Sequence, residues 1–251
     1  MKKILAYSGD QDSLGNSFRI KRFKFLAAKL DKFPKPISIL DVGGTVKYWE
    51  ARGFQNNNDY KITIINIEPS DSPYSNIEVF KGDATNLSNF QSKSFDLAFS
   101  NSVIEHLTLV EKQVMMANEI VRLGKYYFVQ TPNRYFPIEP HFLFPFFQFL
   151  PYSVKYFILT KTKLSRGRKR TPERAETYIK EIRLLTTSEM LNLFPGCKVY
   201  FEKVAGLVKS ITVHMVGLCS GKNMTVNVDQ TRGYIHSGSI DHITCLRSIN
   251  A

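Results

Sequence analysis

Cysteine is scarce in this chain, with three residues in 251. Cys197, Cys219 and Cys245 lie far apart, and no two of them form a C-x-x-C pair. Because this spacing fits neither a disulfide framework nor a cysteine-based zinc site, the sequence predicts no metal site. A reducing cytoplasm is the expected location.

Long apolar runs are missing too. No stretch approaches the roughly 18 consecutive apolar residues of a membrane-spanning helix. The apolar run behind the first two lysines is only a few residues long, whereas a signal peptide needs roughly 7–15. We therefore expect a protein that is not secreted and does not span a membrane, with at most a peripheral contact on the inner membrane face.

Acidic residues are outnumbered, 22 against 34 lysines and arginines, which gives a formal net charge of +12. This excess favours an anionic partner: nucleic acid, a membrane surface or a phosphorylated substrate. A hydrophobic content of 43% and a charged content of 22% are ordinary for a folded protein. The chain is therefore long and apolar enough for one large domain with a substantial core.

Residues 1–36 are predicted to form an N-terminal helical segment. Residues 17–32 place phenylalanine, isoleucine and leucine among basic residues at helical spacing, and Pro34 and Pro36 stop the helix. The pattern predicts an amphipathic helix with a cationic face. That face could be the solvated side of a helix packed on the sheet, or it could contact an anionic surface.

Short β-branched runs recur along the next part of the chain. The runs are 37–42, 61–68, 77–83, 95–101, 125–131, 197–204 and 209–215. The first five are separated by turns or helical patterns, which predicts an α/β fold with a parallel sheet covered on both faces. The last two are separated by Ala-Gly and predict an antiparallel hairpin.

Polar and small residues follow the ends of the first four predicted strands. They are Asp41, Gly43 and Gly44, then Glu68, then Asp83 and Ala84, and finally Asn101. Ligands of open α/β sheets bind beyond the carboxyl ends of the strands, where the strand order reverses. Glycine lets the backbone approach a ligand, Glu68 suits two ribose hydroxyls, and Asp83 suits an adenine amino group with Ala84 leaving room for the ring. The set predicts an adenosine-type ligand.

These motifs resemble those of class I S-adenosylmethionine-dependent methyltransferases, in a bacterial subgroup of the broad methyltransferase type 11 group. ILDVGGT is similar to their first motif, INIEP to the ribose motif, KGDATNL to the adenine motif and FDLAFSNSVIEHL to the fourth motif. The resemblance implies S-adenosylmethionine as cofactor. It also implies a Rossmann-like domain over residues 37–215, with a seven-stranded, mostly parallel sheet whose last strand is antiparallel. One departure is the missing third glycine of the first motif, where Thr45 and Val46 stand.

The resemblance also implies a methyl acceptor, which must be aligned with the methyl group and the sulfur. Oxygen and nitrogen acceptors must in addition lose a proton. The candidate catalytic residues are His141 in the aromatic segment after the fifth strand, His106 behind the fourth strand, and Asn101. Each has a structural alternative, since the histidines could be hydrogen-bonded structural residues and Asn101 could cap the following helix.

Residues 134–186 are predicted to build the acceptor site. Within them, 142–149 holds a single polar side chain, and 161–174 is strongly basic. The apolar stretch could be a lid over the acceptor, a surface that enters a membrane, or core. Together with the basic run it fits a peripheral contact with an anionic membrane. Residues 216–251 are rich in small polar residues and are expected to be a poorly ordered extension.

The sequence therefore predicts methyl transfer from S-adenosylmethionine to a small-molecule, glycan or lipid-linked acceptor. An RNA methyltransferase that uses the basic face is the first alternative. A non-catalytic, adenosine-binding scaffold protein of the same fold is the second. The presence of Glu68, Asp83 and Asn101 argues against the scaffold.

Overall fold

The structure is a computed structural model that describes residues 14–215. Residues 1–13 of the predicted N-terminal segment and the predicted extension at 216–251 lie outside the described range. Within that range, no helix is both long and apolar enough to cross a membrane.

Seven strands form one sheet. They are β1 Ile37–Val42, β2 Tyr60–Asn66, β3 Ile77–Lys81, β4 Phe95–Asn101, β5 Gly124–Pro132, β6 Lys198–Val204 and β7 Leu207–His214. Their order in space is β3-β2-β1-β4-β5-β7-β6. The first five pair in parallel, while β7 is antiparallel to both β5 and β6. This confirms the predicted Rossmann-like sheet with an antiparallel last strand.

The ends of the strands differ slightly from the prediction. β2 ends at Asn66 and β3 at Lys81, so Glu68 and Asp83 lie in the loops just beyond their strands. The predicted hairpin joins β6 and β7 through Ala205 and Gly206, whose φ angles are 47° and 81°. Two successive positive φ angles match the twist of the flanking strands, which is why short hairpins favour such turns.

Six α-helices accompany the sheet in the described range. They are α1 Leu14–Leu30, α2 Val46–Glu50, α3 Val110–Leu123, α4 Tyr152–Lys161, α5 Pro172–Lys180 and α6 Thr187–Leu193, with 3-10 turns at Ile104–His106 and Phe147–Phe149. The chain between β4 and α3 is only partly helical, because Ser102 has a φ of 58° and residues 104–106 form a 3-10 turn. Gly124 follows α3 in an extended conformation and is the first residue of β5.

Apolar side chains cover both faces of the sheet, as parallel strands require. In β1, Leu40 and Val42 face the core that includes α3, while Ile37 and Ile39 face the core that includes α1. α1 is anchored by the fully buried Leu26 and Leu30. The alternation places helices on opposite faces and leaves the carboxyl edge of the strands open to the loops.

The segment after β5 forms a small core of its own. Phe142 and Phe147 pack there with Ile158 and Leu159 of α4 and with Ala175 of α5. In the aromatic stretch, Phe142 and Phe147 thus belong to this core, whereas Phe146 and Phe149 are exposed. We call residues 133–186 the insertion, since they separate β5 from α6.

Candidate active site

The turn after β1 needs both of its glycines, for different reasons. Gly43 has a φ of 79°, and a Cβ on it would lie 2.5 Å from the Val103 side chain. A Cβ on Gly44 would lie 1.7 Å from Oδ2 of Asp41. No side chain therefore fits at either position, so the turn keeps this shape only with glycine at both.

Asp41 lies beneath this turn and is almost fully buried. The indole Nε1 of Trp49 donates to its Oδ2 at 2.7 Å, and no described residue donates to its Oδ1. Burial raises the pKa of the carboxyl group to about 7, although the indole N–H opposes that shift. These contacts support the turn from below, and direct contact of Asp41 with the cofactor stays a prediction.

Asn66, at the end of β2, connects the glycine turn to the predicted ribose site. Its Nδ2 donates to the carbonyl of Gly44 at 2.8 Å, and its Oδ1 accepts from the backbone N–H of Glu68 at 3.0 Å. The carboxylate of Glu68 is exposed at the same edge. Sequence reasoning missed Asn66, and only its place at the end of a strand could have drawn attention to it.

Asp83, beyond β3, is held by its own loop. Its Oδ1 accepts from both the backbone N–H and the hydroxyl of Thr85, at 2.9 and 2.8 Å. These donors lower the pKa of the carboxyl group, so it is ionised near neutral pH. Oδ2 takes no part in these bonds, and Ala84 packs against the core beside it. An acceptor for an amino group is thus available where the sequence predicts one.

Asn101 ends β4 with a half-buried side chain whose buried Oδ1 has no donor in the described range. The following 3-10 turn begins after Val103, so the structure gives Asn101 no capping role. Ser102 fixes the backbone here, because its hydroxyl donates to Oε1 of Gln130 on β5 at 2.8 Å. A buried, unpartnered amide oxygen is unusual and fits contact with a polar ligand.

β1 and β4 are neighbours, and the strand order reverses between them. Ser100 links the two strands by donating to the carbonyl of Val42 at 2.9 Å. All four predicted strand ends therefore meet at one edge, around the crevice where open α/β sheets bind ligands. The glycine turn, the acids beyond β2 and β3 and the unpartnered amide of Asn101 fit an adenosine-type cofactor with a polar tail.

Two carboxylates and two histidines meet beside this crevice, after β4 and β5. Glu105 is fully buried, and its Oε2 accepts from the hydroxyl of Thr131 at 3.1 Å, while Oε1 has no donor in the described range. The rings of His106 and His141 are 5.0 Å apart between centroids, at an angle of 88°. We call Glu105, His106, His141 and Glu139 the histidine cluster.

Glu139 holds His141 in place. Its Oε1 pairs with the ring Nδ1 of His141, and its Oε2 accepts from the backbone N–H groups of His141 and Phe142 at 2.8 and 2.9 Å. Glu139 is 1% exposed. Burial lowers the pKa of His141, but the Glu139 carboxylate outweighs this and the net shift is upward. Desolvation of the ring by surrounding residues and the neighbouring His141 lower the pKa of His106.

The comparison with known families matches residues 41–128 to the model of a methyltransferase domain. That segment runs from Asp41 to β5 and contains every predicted cofactor residue. This segment is therefore similar to a methyltransferase domain. S-adenosylmethionine is the cofactor that this similarity implies, and the residues around the crevice fit that molecule.

Relatives of the chain share only parts of it. An uncharacterized protein of Mycobacterium tuberculosis, Rv1509, is 44% identical over 55 residues, which are 22% of this chain and 19% of the relative. The match thus spans about a fifth of the length of that relative. A possible exported protein of Bordetella parapertussis is structurally similar, with a TM-score of 0.51 at 11% identity, covering 80% of this chain and 68% of the other. At that identity the likeness concerns the fold alone.

A solved S-adenosylmethionine-dependent methyltransferase from Aquifex aeolicus has a TM-score of 0.43 at 13% identity, covering 76% of this chain and 87% of the other. Residues 41–128 and the topology of the sheet, rather than this likeness, indicate a methyltransferase domain.

In the methyltransferase domain, the histidine cluster lies on the side of the crevice away from β2 and β3. His106 also borders an open cleft of about 690 Å³, whose other walls are Thr108 and residues of α5. Sequence reasoning found both histidines but missed Glu105 and Glu139 as site residues. An acid one residue before His106 and another two residues before His141 were the available signals.

Proposed function

We propose that the protein transfers the methyl group of S-adenosylmethionine to an acceptor held between the carboxyl end of β4 and the insertion. The acceptor's lone pair forms the new bond to the methyl carbon as the carbon–sulfur bond breaks, and the bonding electrons neutralise the sulfonium. The observation that carries the proposal is the meeting of cofactor-type residues and the histidine cluster at one sheet edge. Such transfer depends mainly on alignment.

On the cofactor side, we assign Glu68 to the ribose hydroxyls and Asp83 with Ala84 to the adenine. The open backbone of Gly43 and Gly44 faces the methionine end. Asn101 contacts either the methionine moiety or the acceptor, because it ends β4 between the two sides. Asp41 and Asn66 support this arrangement through the contacts described above.

On the acceptor side, we assign His106 and His141 to contact with the reacting atom. Glu139 fixes the orientation of His141 through its ring Nδ1, and Glu105 lies behind His106 in the same 3-10 turn. The carbonyl of His141 is held by the Tyr178 hydroxyl at 2.7 Å and by Nε of Arg166 at 2.6 Å. The insertion thus presents His141 rigidly, as alignment requires.

Binding of S-adenosylmethionine, measured by calorimetry, tests the cofactor assignments. We expect the wild type to bind it and Glu68→Ala to bind at least about tenfold more weakly, the equivalent of one lost charged hydrogen bond. Glu78→Ala is the matched control, since Glu78 is an exposed carboxylate on β3. Equal affinity in Glu68→Ala and wild type would contradict the ribose assignment.

Exposed aromatic residues favour a lipid-linked acceptor among the candidate classes. Phe146, Phe149 and Phe157 are 55%, 48% and 58% exposed, around α4. Val154, Phe157 and Lys161 share one exposed face of that helix, and exposed basic residues follow it. Aromatic insertion and positive charge reinforce each other at anionic membranes. We therefore propose a peripheral contact with an anionic membrane.

Co-sedimentation with vesicles tests this contact. The double variant Phe146→Ser/Phe157→Ser is expected to lose binding to phosphatidylglycerol-containing vesicles, and wild-type binding is expected to weaken as salt rises. Phe80→Ser on β3 is the control, because Phe80 is 46% exposed but distant in the sheet order. Equal binding by the double variant would exclude this surface.

Incubation of the protein with methyl-labelled cofactor and fractionated cell extract identifies the acceptor class. We expect label in a lipid or glycan fraction. Label in RNA would instead support the first alternative, in which exposed residues of the basic run such as Arg168 and Lys169 contact phosphates. Cofactor binding with no labelled fraction would support the second alternative, a non-catalytic scaffold protein.

A further inference from the structure

We propose that Glu105, His106 and His141 bind one divalent transition-metal ion, such as Zn²⁺, Mn²⁺ or Fe²⁺, at the acceptor side of the methyltransferase site. One ligand atom from each of the three residues lies within 4.8 Å of the other two. The residues come from two loops that follow neighbouring strands. Two imidazoles and one carboxylate are a donor set that suits these ions and leaves coordination positions open.

The buried carboxylate of Glu105 is the second observation that points to a cation. Thr131 donates to Oε2, but Oε1 is buried without a donor in the described range. An unpartnered carboxylate oxygen in the interior costs free energy, which a bound cation would offset. The backbone is already fixed for this role, since the N–H of Arg183 donates to the Glu105 carbonyl at 2.8 Å.

His141 pairs with a carboxylate, as metal-binding histidines usually do. Nδ1 of His141 is paired with Glu139, so Nε2 remains for an ion. Histidine ligands of metals typically hold their other ring nitrogen on a carboxylate or a carbonyl, which orients the ring. Glu139 is itself fixed by two backbone N–H groups, so the orientation of the ring does not depend on the ion.

The charges of the cluster also fit a divalent ion. Glu105 and Glu139 are both buried, and their two negative charges would balance a charge of +2. The ion would also bind both imidazole rings, which otherwise face each other. Buried charges persist when they are paired or coordinate a metal.

The open cleft beside His106 suggests what the ion would do, and this part rests on the proposed function. Three protein ligands leave room for an acceptor oxygen that enters through the cleft. A metal-bound hydroxyl has a lower pKa and releases its proton to solvent more easily. The bound oxygen would then attack the methyl carbon, with the carbon–sulfur electrons passing to sulfur.

Metal titration of the full-length protein, stripped with a chelator, tests the proposal without the acceptor. We expect one Zn²⁺ per chain by calorimetry, and a visible absorption band of low-coordinate Co²⁺ when Co²⁺ replaces it. Glu105→Gln and His106→Ala are each expected to weaken binding at least about tenfold, and Glu139→Gln by about 10–100-fold. Glu111→Gln is the matched control, an exposed acid at the start of α3.

The proposal is overturned if the wild type binds no ion, or if Glu105→Gln and His106→Ala bind it as the wild type does. His106 is exposed, so its variant should fold even if Glu105→Gln does not. S-adenosylmethionine binding is measured on the same samples and is expected to be unchanged in both variants. A wild type that binds S-adenosylmethionine but no ion would mean that this proposal fails while the proposed cofactor site stands.

Discussion

At the scale of single residues, the glycine turn after β1 has two separate requirements. Gly43 is needed for its positive φ and for the approach of Val103. Gly44 is needed because Asp41 occupies the space in which its side chain would lie. The sequence predicted the position of the turn, but it could not show the second requirement, since that depends on the buried conformation of Asp41.

Gly44→Ala is therefore expected to destabilise the protein by about 3 kcal/mol, because the new methyl group displaces Asp41 from the Trp49 indole. Gly53→Ala is the control: it has a φ of 76° but open space around it, and should cost only about 1 kcal/mol. Urea unfolding measures both. Equal losses would mean that Asp41 moves aside without cost.

Asp41 should make stability depend on pH. Its pKa is about 7 in the folded protein and near 4 when unfolded, so between these values the folded state keeps a proton that the unfolded state loses. Stability from this group is complete below about pH 4, falls by up to about 1.4 kcal/mol per pH unit as the pH rises, and is constant above 7. Asp41→Asn should flatten that decline in urea unfolding measured across the window.

Asp96→Asn serves as a control of opposite sign. Burial raises the pKa of Asp96, but Lys125 and Ser38 lower it by more, so the net shift is downward. Its contribution to stability is present above the unfolded pKa and is lost as the pH falls through the folded pKa. If Asp41→Asn and Asp96→Asn changed the pH profile in the same direction, the assignment for Asp41 would be wrong.

At the scale of elements, α1 differs from a simple amphipathic helix. Arg22, one of the basic residues that predicted a cationic face, is 5% exposed and pairs with Glu202 of β6 at 2.9 Å. Glu202 also accepts from the hydroxyl of Ser210 on β7. The pair ties α1 to the antiparallel edge of the sheet, which the sequence could not reveal because the partners are far apart in the chain.

Removal of one member of this pair should be costly. Arg22→Met leaves Glu202 buried without its cation and is expected to lower the free energy of unfolding by about 3–5 kcal/mol. The double variant Arg22→Met/Glu202→Gln should lose less than the sum of the two single variants. A double-mutant cycle in urea checks this, and strict additivity would show that the two side chains do not interact.

At the scale of the whole molecule, the insertion has a hydrophobic core that is separate from the cores of the sheet. Phe142 and Phe147 pack with α4 and α5 in a core of their own, while Phe99 lies between the sheet and α1. Regions with a small separate core tend to open before the rest of the fold. Because the insertion carries His141, its stability bears directly on the acceptor side of the site.

The effect of Phe147→Ala should therefore be confined to the insertion. Deleting a fully buried phenylalanine costs about 3–5 kcal/mol, and here we expect faster hydrogen exchange in peptides from 142–180 but not in those from β1 to β5. Phe99→Ala should instead lower protection across the sheet. Hydrogen exchange with mass spectrometry compares the two, and uniform loss of protection in Phe147→Ala would mean that the insertion and the sheet unfold together.

Most of the fold and the cofactor edge followed from local patterns. β-branched runs separated by helical patterns predict a parallel sheet, and polar residues at successive strand ends must meet at one edge because parallel strands end on the same side. Glu68, Asp83 and Asn101 could thus be predicted from their places after the runs, although β2 and β3 end slightly earlier than expected.

The sequence by itself determined the class of the sheet, the edge at which the candidate cofactor residues meet and the two candidate histidines, because these depend on periodicity and on neighbours in the chain. Only the tertiary structure decided that Glu105 lies beside His141, and that Asp41 fills the space at Gly44. Such contacts depend on loop conformations, such as the positive φ of Ser102, and on the packing of the insertion. No periodic pattern encodes them, since they join residues brought together only when the whole chain folds.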